Sequence, residues 1–261
     1  MSKLACLTRG KDRAFPAHPR VERYFAAAAI EDARQRLGRC IDRGDGPGLV
    51  VGPTGTGKTL LLQLLATQFA DRFAVACLTS TPLSSRRALL QSILFELRQP
   101  YRDHEAGELR LALVELLLDR TQCPEGLLLL VDEAHLLSVR LLEELRVLSN
   151  LTCAGEPRVR LVLAGSLQLD ELFTAPELEV FNQRLTARCY LSQLSHAETV
   201  QYARAQIAAA GAKPDELFAP EALDALYQAS DGVPRLINQI CDRALCMASD
   251  RKLIRLDKQA I

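Results

Sequence analysis

Residues Gly52-Pro53-Thr54-Gly55-Thr56-Gly57-Lys58-Thr59 constrain this chain more than any other stretch. They spell G-x-x-x-x-G-K-[ST]. Strand-like Gly48-Leu49-Val50-Val51 precedes them, and helix-forming Leu60-Leu61-Leu62-Gln63-Leu64-Leu65-Ala66 follows. A glycine loop between a strand and a helix is the context that gives this pattern a mechanism. The glycines let the backbone curl until its N–H groups face inward, and the N-terminus of the next helix adds partial positive charge. Phosphate oxygens fit such a cradle. In this reading residues Gly52, Pro53, Thr54, Gly55, Thr56, Gly57 and Leu60 surround a nucleotide's phosphates. Lys58 reaches the β- and γ-phosphates, and Thr59 holds a magnesium ion. The alternative is a chance match in an ordinary turn, and the strand and helix on either side weigh against it.

Gly126-Leu127-Leu128-Leu129-Leu130-Val131-Asp132-Glu133 is an apolar run that ends in two carboxylates. A strand buried on both faces reads as such a run, without alternation. Sites in open α/β sheets lie at the carboxyl ends of strands. Asp132 is therefore expected to polarise magnesium-bound water as a Walker-B residue, and Glu133 to act as general base toward the attacking water. Acidic residues also favour helix N-termini, which is the competing explanation. The upstream glycine loop shifts the weight to the catalytic one.

The 261 residues suit one large domain, or a core plus a small domain. With 48% apolar residues and no Trp, the core is sizeable and aliphatic. The formal net charge is zero, so bulk charge gives no footprint for nucleic acid or an anionic membrane. The eight cysteines form no C-x-x-C pair or other metal-like spacing, which fits reduced thiols in the cytoplasm. No signal peptide is visible, and no apolar run approaches the roughly 20 residues of a membrane span.

Along the chain, residues 1–20 read as an arm and 22–43 as a helix. Strands are expected near 48–51, 73–78, 127–131, 158–165 and 188–191. Helices are expected over roughly 83–98, 106–120 and from Ala134-His135 to 151, with short helices over 167–185 and a polar stretch at Thr79-Ser80-Thr81-Pro82. From Ser195 onward the periodicity is helical only, at about 195–210, 219–229 and 233–249, with Pro234 opening the last helix. Alternating strands and helices followed by helices alone imply a parallel α/β domain with a small helical lid. The expected segments are 1–20, 21–193 and 194–261.

Four blocks resemble the AAA+ ATPases of the ExeA type, which are related to transposition ATPases and origin-recognition proteins. They are Gly52–Thr59, Leu128–His135, Leu142-Glu143-Glu144-Leu145-Arg146-Val147-Leu148-Ser149-Asn150-Leu151, and the stretch from Gly232-Val233-Pro234-Arg235 to Leu245. The resemblance covers roughly residues 20–250. It implies a P-loop NTPase fold: a parallel five-stranded sheet of order 5-1-4-3-2, sandwiched by helices and followed by the lid. It also implies Mg-ATP hydrolysis and a homo-oligomer with nucleotide at the subunit interfaces.

By that resemblance sensor 1 falls at the end of the fourth strand, on Ser166 with Gln168 as second choice. Ser166 as a helix cap is the competing explanation. The arginine finger falls on Arg184, with Arg188 second, and a solvated helix-end arginine is the alternative for either. Arg235 matches sensor 2. His135 completes an Asp-Glu-Ala-His string, but too little chain follows it for a second helicase domain. It is expected in a polar loop beside the site, with no metal role. The resemblance implies work on a protein assembly, as in secretion. A DNA-transaction ATPase is the second reading, but Arg86, Arg87 and Arg98 are scattered rather than massed. A nucleotide switch with little turnover is the third.

Overall fold

The computed structural model describes residues 7, 13–18, 20–79, 83–251, 255–258 and 260–261. The rest of the arm expected over 1–20, and Ser80-Thr81-Pro82 of the polar stretch, lie outside the described residues. Two compact units emerge from the contacts: residues 31–52 with 61–191, and residues 1–30, 53–60 and 192–261. The sequence segments and the contact units divide the chain differently. Residues 1–30 and the glycine loop group with the C-terminal helices, although the loop lies mid-chain.

The first unit is built on five parallel strands: β1 (Gly48–Val51), β2 (Ala74–Leu78), β3 (Leu127–Val131), β6 (Val159–Gly165) and β7 (Ala187–Tyr190). Their order is β2-β3-β6-β1-β7, which is the 5-1-4-3-2 order in sequence count. Every residue of β1 and β3 is buried, so both faces of the sheet centre are covered. Helices α1 (Ala28–Arg43), α2 (Lys58–Phe69), α3 (Arg86–Glu96), α4 (Ala106–Leu118) and α5 (Val139–Ser149) alternate with these strands along the chain. Leu89, Leu90, Leu113, Leu142 and Leu145 join Leu129 and Leu163 in one aliphatic core. Each such side chain contributes roughly 1.5–3 kcal/mol on burial.

Register places the ends of the strands. Val51 lies opposite Gly165, and Val131 opposite Leu163. The Gly52 N–H extends the first pairing to Gly165 O at 3.3 Å, and the Asp132 N–H donates to Leu78 O at 2.9 Å. Gly52, Asp132 and Ser166 therefore share the carboxyl edge of the sheet.

Two local departures from the sequence reading have physical causes. The expected long helix to residue 151 is a 3-10 turn (Ala134–Leu136) followed by α5, and a hairpin of β4 (Thr152–Cys153) and β5 (Glu156–Pro157) comes next. Its turn puts Ala154 and Gly155 at φ 53 and 84. The helix expected from residue 22 begins only at Ala28; Val21–Arg23 is a 3-10 turn. None of the seven described cysteines is in a disulfide. Burial pushes the Cys77 and Cys189 thiols up to about 11, so they stay protonated and act as small hydrophobes.

The second unit gathers α8 (His196–Ala209), α9 (Pro214–Leu217), α10 (Pro220–Ser230) and α11 (Pro234–Asp250), after the short α6 (Leu167–Leu172) and α7 (Glu179–Asn182) of the first unit. Ala203, Ile207, Leu226, Ile237 and Leu245 are buried in it. Its N-terminal segment is tied to α8. Gln206 Nε2 donates to Arg23 O at 3.0 Å, and the Ala28 N–H donates to Glu198 Oε1 at 3.0 Å. That N–H is the foremost cause holding the Glu198 carboxyl below its ordinary value. Among the described residues no helix is long and apolar enough to cross a membrane.

Arg158, at 2% exposure, is the largest buried polar side chain. Its guanidinium donates to Leu117 O at 2.6 Å, to Pro124 O at 2.9 Å and to Cys123 O. It thus caps the carbonyl end of α4, where a cation is favoured, and pins the loop that feeds β3. Arg158→Leu strips three carbonyls of their donor. The expected loss is about 2–4 kcal/mol of unfolding free energy, read from the urea midpoint at constant slope. A loss below about 0.5 kcal/mol, the size of an ordinary surface change, contradicts the assignment.

Candidate nucleotide-binding site

The glycine loop runs from the end of β1 into α2. Gly55 and Gly57 adopt φ 88 and 105, conformations that L side chains rarely take. Gly55 has a second reason to be glycine. An added Cβ would stand 2.9 Å from Arg235 Cβ and 3.0 Å from Val233 Cγ1. The Arg235 N–H donates to Gly55 O at 3.3 Å, so the first turn of α11 sits on the loop. Pro234 at the start of α11 costs no hydrogen bond there.

Lys58 is 6% exposed and donates to Pro53 O at 2.9 Å. Thr56, also 6% exposed, donates its hydroxyl to the same carbonyl at 2.9 Å. The lysine is folded over its own loop. The first turn of α2 carries no acidic residue, so nothing within the helix offsets its N-terminal positive charge. Thr59 and Leu60 lie in that turn and are partly buried.

Arg235 also lines a cavity of about 200 Å³ in the same unit. The cavity's other walls include Arg13, Phe15, Asn238, Asp242 and Arg243. Arg13 Nε donates to Asp242 Oδ1 at 2.5 Å, and its Nη2 binds Asp242 Oδ2. Asn238 Nδ2 donates to Pro16 O at 3.3 Å and accepts the Tyr202 hydroxyl at 2.8 Å. Burial pushes the Tyr202 hydroxyl up to about 12, so it remains a donor. The arm is thus fastened to the helix that carries Arg235. Sequence reasoning missed this, because Arg13 and Asp242 are 229 positions apart.

The acidic pair belongs to the other unit. Asp132 is partly buried, and its Oδ1 accepts the Glu133 N–H at 2.9 Å. Glu133 has an exposed side chain and a left-handed backbone, φ 50 and ψ 34. Such a conformation costs a non-glycine residue roughly 1–3 kcal/mol and clusters at functional sites. It turns the chain sharply after β3, so that Glu133 leaves the sheet edge. Ser166 follows β6 and occupies the N-cap position of α6, yet its side chain makes no cap hydrogen bond. Its Oγ is buried and has no hydrogen-bond partner among the described residues. Gln168 is exposed on α6.

The two finger candidates differ in their surroundings. Arg188 is partly buried, donates to Asp170 Oδ1 at 2.7 Å and also binds Asn182 Oδ1. Asp170 is held from its other oxygen by the Tyr190 hydroxyl at 2.9 Å. Arg184 is exposed, and its described partner is the neutral amide of Asn150.

A family model described as "AAA domain" matches residues 41–173, half of the chain. The chain belongs to the AAA domain family. It is 35% identical over 239 residues to General secretion pathway protein A of Aeromonas hydrophila, covering 91% of this chain and 43% of that protein. The chain therefore spans less than half the length of this curated relative. In fold it is similar to the Cdc6p structure of Pyrobaculum aerophilum, with TM-score 0.76 and 18% identity over 95% of this chain and 68% of that one. It is also similar to the Aeropyrum pernix ORC2 protein in ADPNP–ADP complexes, with TM-score 0.70 and 16% identity over 96% of this chain and 70% of that one.

Gly55→Ala tests the AAA loop directly. Strain at a positive φ, of about 1–3 kcal/mol, should lower ATP affinity about 5- to 100-fold while the protein stays folded. Unchanged affinity in a fluorescence titration contradicts the close approach of Gly55 and Arg235.

Proposed function

We propose that the chain is an ATPase that couples Mg-ATP hydrolysis to the assembly or remodelling of a protein complex, in the cytoplasm where ATP is supplied. One observation carries the proposal. The loop at Gly52–Gly57, with two positive-φ glycines, leads into a helix whose first turn lacks acid and begins with the buried Lys58. Backbone donors, helix N-terminus and lysine are all cationic or partly so, and this fits a polyphosphate. The chemistry of two residues suits a magnesium ion: Thr59 offers a hydroxyl and Asp132 a carboxylate, the hard oxygens that ion takes along with phosphates and water. When bound, it neutralises charge on the β- and γ-phosphates.

The chain's own residues then divide the work. Lys58 binds the β- and γ-phosphates, and the loop N–H groups bind their oxygens. Arg235, whose backbone already meets Gly55, reaches the phosphates as sensor 2. Glu133 takes a proton from the attacking water, and Ser166 with its unpartnered buried hydroxyl is the sensor-1 candidate. Arg184 is the finger toward a neighbouring subunit, because Arg188 is already neutralised by Asp170.

The similarity to General secretion pathway protein A favours a protein assembly as the partner. The DNA reading finds less support. Arg86 Nε pairs with Glu144 Oε2 at 3.1 Å and Arg87 Nη1 with Glu105 Oε1 at 3.9 Å, so each of these cations already faces a carboxylate.

Glu133→Gln should leave ATP bound and slow single-turnover hydrolysis about 10²–10⁴-fold. A rate near that of the unaltered protein means that Glu133 is not the base and leaves the ATPase reading without its catalyst.

Activity per protomer should rise with protein concentration if Arg184 completes a neighbour's site. Arg184→Ala keeps a sound loop, and a loop-dead Lys58→Met variant keeps a sound finger, so mixing the two should restore one complete interface. A finger is worth about 10³–10⁵ in rate elsewhere, so partial recovery is measurable. Concentration-independent activity, with a mixture no better than its parts, rules out the shared site.

A further inference from the structure

His135 stands two residues beyond Glu133 with a side chain only 12% exposed. The short turn that carries it is held firmly. The Leu136 N–H donates to Glu133 O at 2.9 Å and the Leu137 N–H to Ala134 O at 3.1 Å. Ala134 is fully buried, and a Cβ added to Gly165 would lie 3.3 Å from His135 N. The backbone of His135 therefore packs close to the end of β6.

Its Nδ1 faces two groups at once. The Ser166 backbone N–H donates to it at 3.4 Å, and Glu133 Oε2 lies 3.5 Å away. A nitrogen that accepts carries no proton, so the ring proton resides on Nε2. Nδ1 then has nothing to donate to the carboxylate, and lone pair faces lone pair. The ring occupies the Ser166 donor and presents a repulsive face to Glu133.

This matters because the Ser166 N–H, at the carboxyl edge of the sheet, and the Glu133 carboxylate both lie within 3.5 Å of the same His135 nitrogen. A carboxylate takes a backbone N–H more strongly than a neutral imidazole does, because its bond is charge-assisted. Left open, that donor would draw the Glu133 carboxylate onto the protein and away from water. We propose that His135 is a positioning residue: by accepting the Ser166 N–H it keeps Glu133 from being captured there and leaves the carboxylate free to take a proton from water. The proposal rests on the reading of Glu133 as general base. It asks nothing of His135 as a proton donor, and it places the residue between the base and the sensor-1 position.

The test compares three substitutions in the full chain. Asn places an amide oxygen near where Nδ1 stands, and so keeps the acceptor. Phe keeps the ring volume without it. Ala removes both. His135→Ala and His135→Phe should lower kcat about 10- to 100-fold, the size of one charge-assisted hydrogen bond, with KM and ATP affinity unchanged. His135→Asn should recover most of the rate. In a Glu133→Gln background, His135→Ala should slow hydrolysis no further. The proposal is overturned if His135→Phe runs at the unaltered rate, or if His135→Asn is as slow as His135→Phe. It is overturned too if the Ala effect persists undiminished beside Glu133→Gln. The Asn and Phe pair decides the matter even if His135→Ala fails to fold. If Glu133→Gln alone leaves the rate intact, the base reading falls and the proposal with it, an outcome distinct from a fast His135→Phe.

Discussion

A polyphosphate can be held inside a protein only where enough donors meet it to replace the water it loses. Each unpaired charge in such a place costs several kcal/mol, and each charge-assisted hydrogen bond returns about 1.5–3. That requirement shapes this chain from Gly52 to Thr59. The backbone must curl so that several N–H groups face one way, so Gly55 and Gly57 stand at positive φ. The helix behind must present a bare N-terminus, so its first turn has no acid. A strand must deliver the loop to the carboxyl edge of a sheet, so β1 sits between β6 and β7 with every residue buried.

The same demand explains why the loop groups with the C-terminal helices by contact. A Cβ on Gly55 would stand 2.9 Å from Arg235 Cβ and 3.0 Å from Val233 Cγ1, so glycine is what lets the loop and that helix meet. Arg235 opens a helix that Asp242 and Asn238 fasten to the arm through Arg13 and Pro16. The helix that carries Arg235 is thereby fastened to two separate segments, the loop and the arm. In the other unit the backbone helps to arrange the carboxylates. Asp132 accepts the next residue's N–H, and Glu133 leaves the strand through a left-handed turn.

Much of the fold was legible in the sequence because burial leaves a simple trace. Leu127–Val131 reads as a two-faced strand since nothing polar interrupts it, and the glycine loop reads as a turn because its neighbours declare strand and helix. The AAA family match, residues 41–173, spans both stretches. What was not legible depends on distant partners or on unusual backbone. Arg158 reads as a polar strand edge, yet it is the most deeply buried cation described, satisfied by three carbonyls from residues 117–124. The hairpin at Thr152–Pro157 turns on Ala154 at φ 53, which residue type does not announce. The sequence ranks Arg184 ahead of Arg188 but does not show that Arg188 pairs with Asp170, brought close by α6. The partner of His135 was hidden for the same reason, since Ser166 is 31 positions away.

The central claim is that Gly52–Thr59 binds a nucleoside triphosphate through Lys58 and the loop donors. Equilibrium dialysis of ATP with magnesium, on the unaltered chain and on Lys58→Ala, tests it most directly. Binding should saturate and fall about 10- to 100-fold or more on substitution, since at least one charge-assisted contact is lost. Equal affinity for the two proteins, or no binding by the unaltered chain, would contradict it.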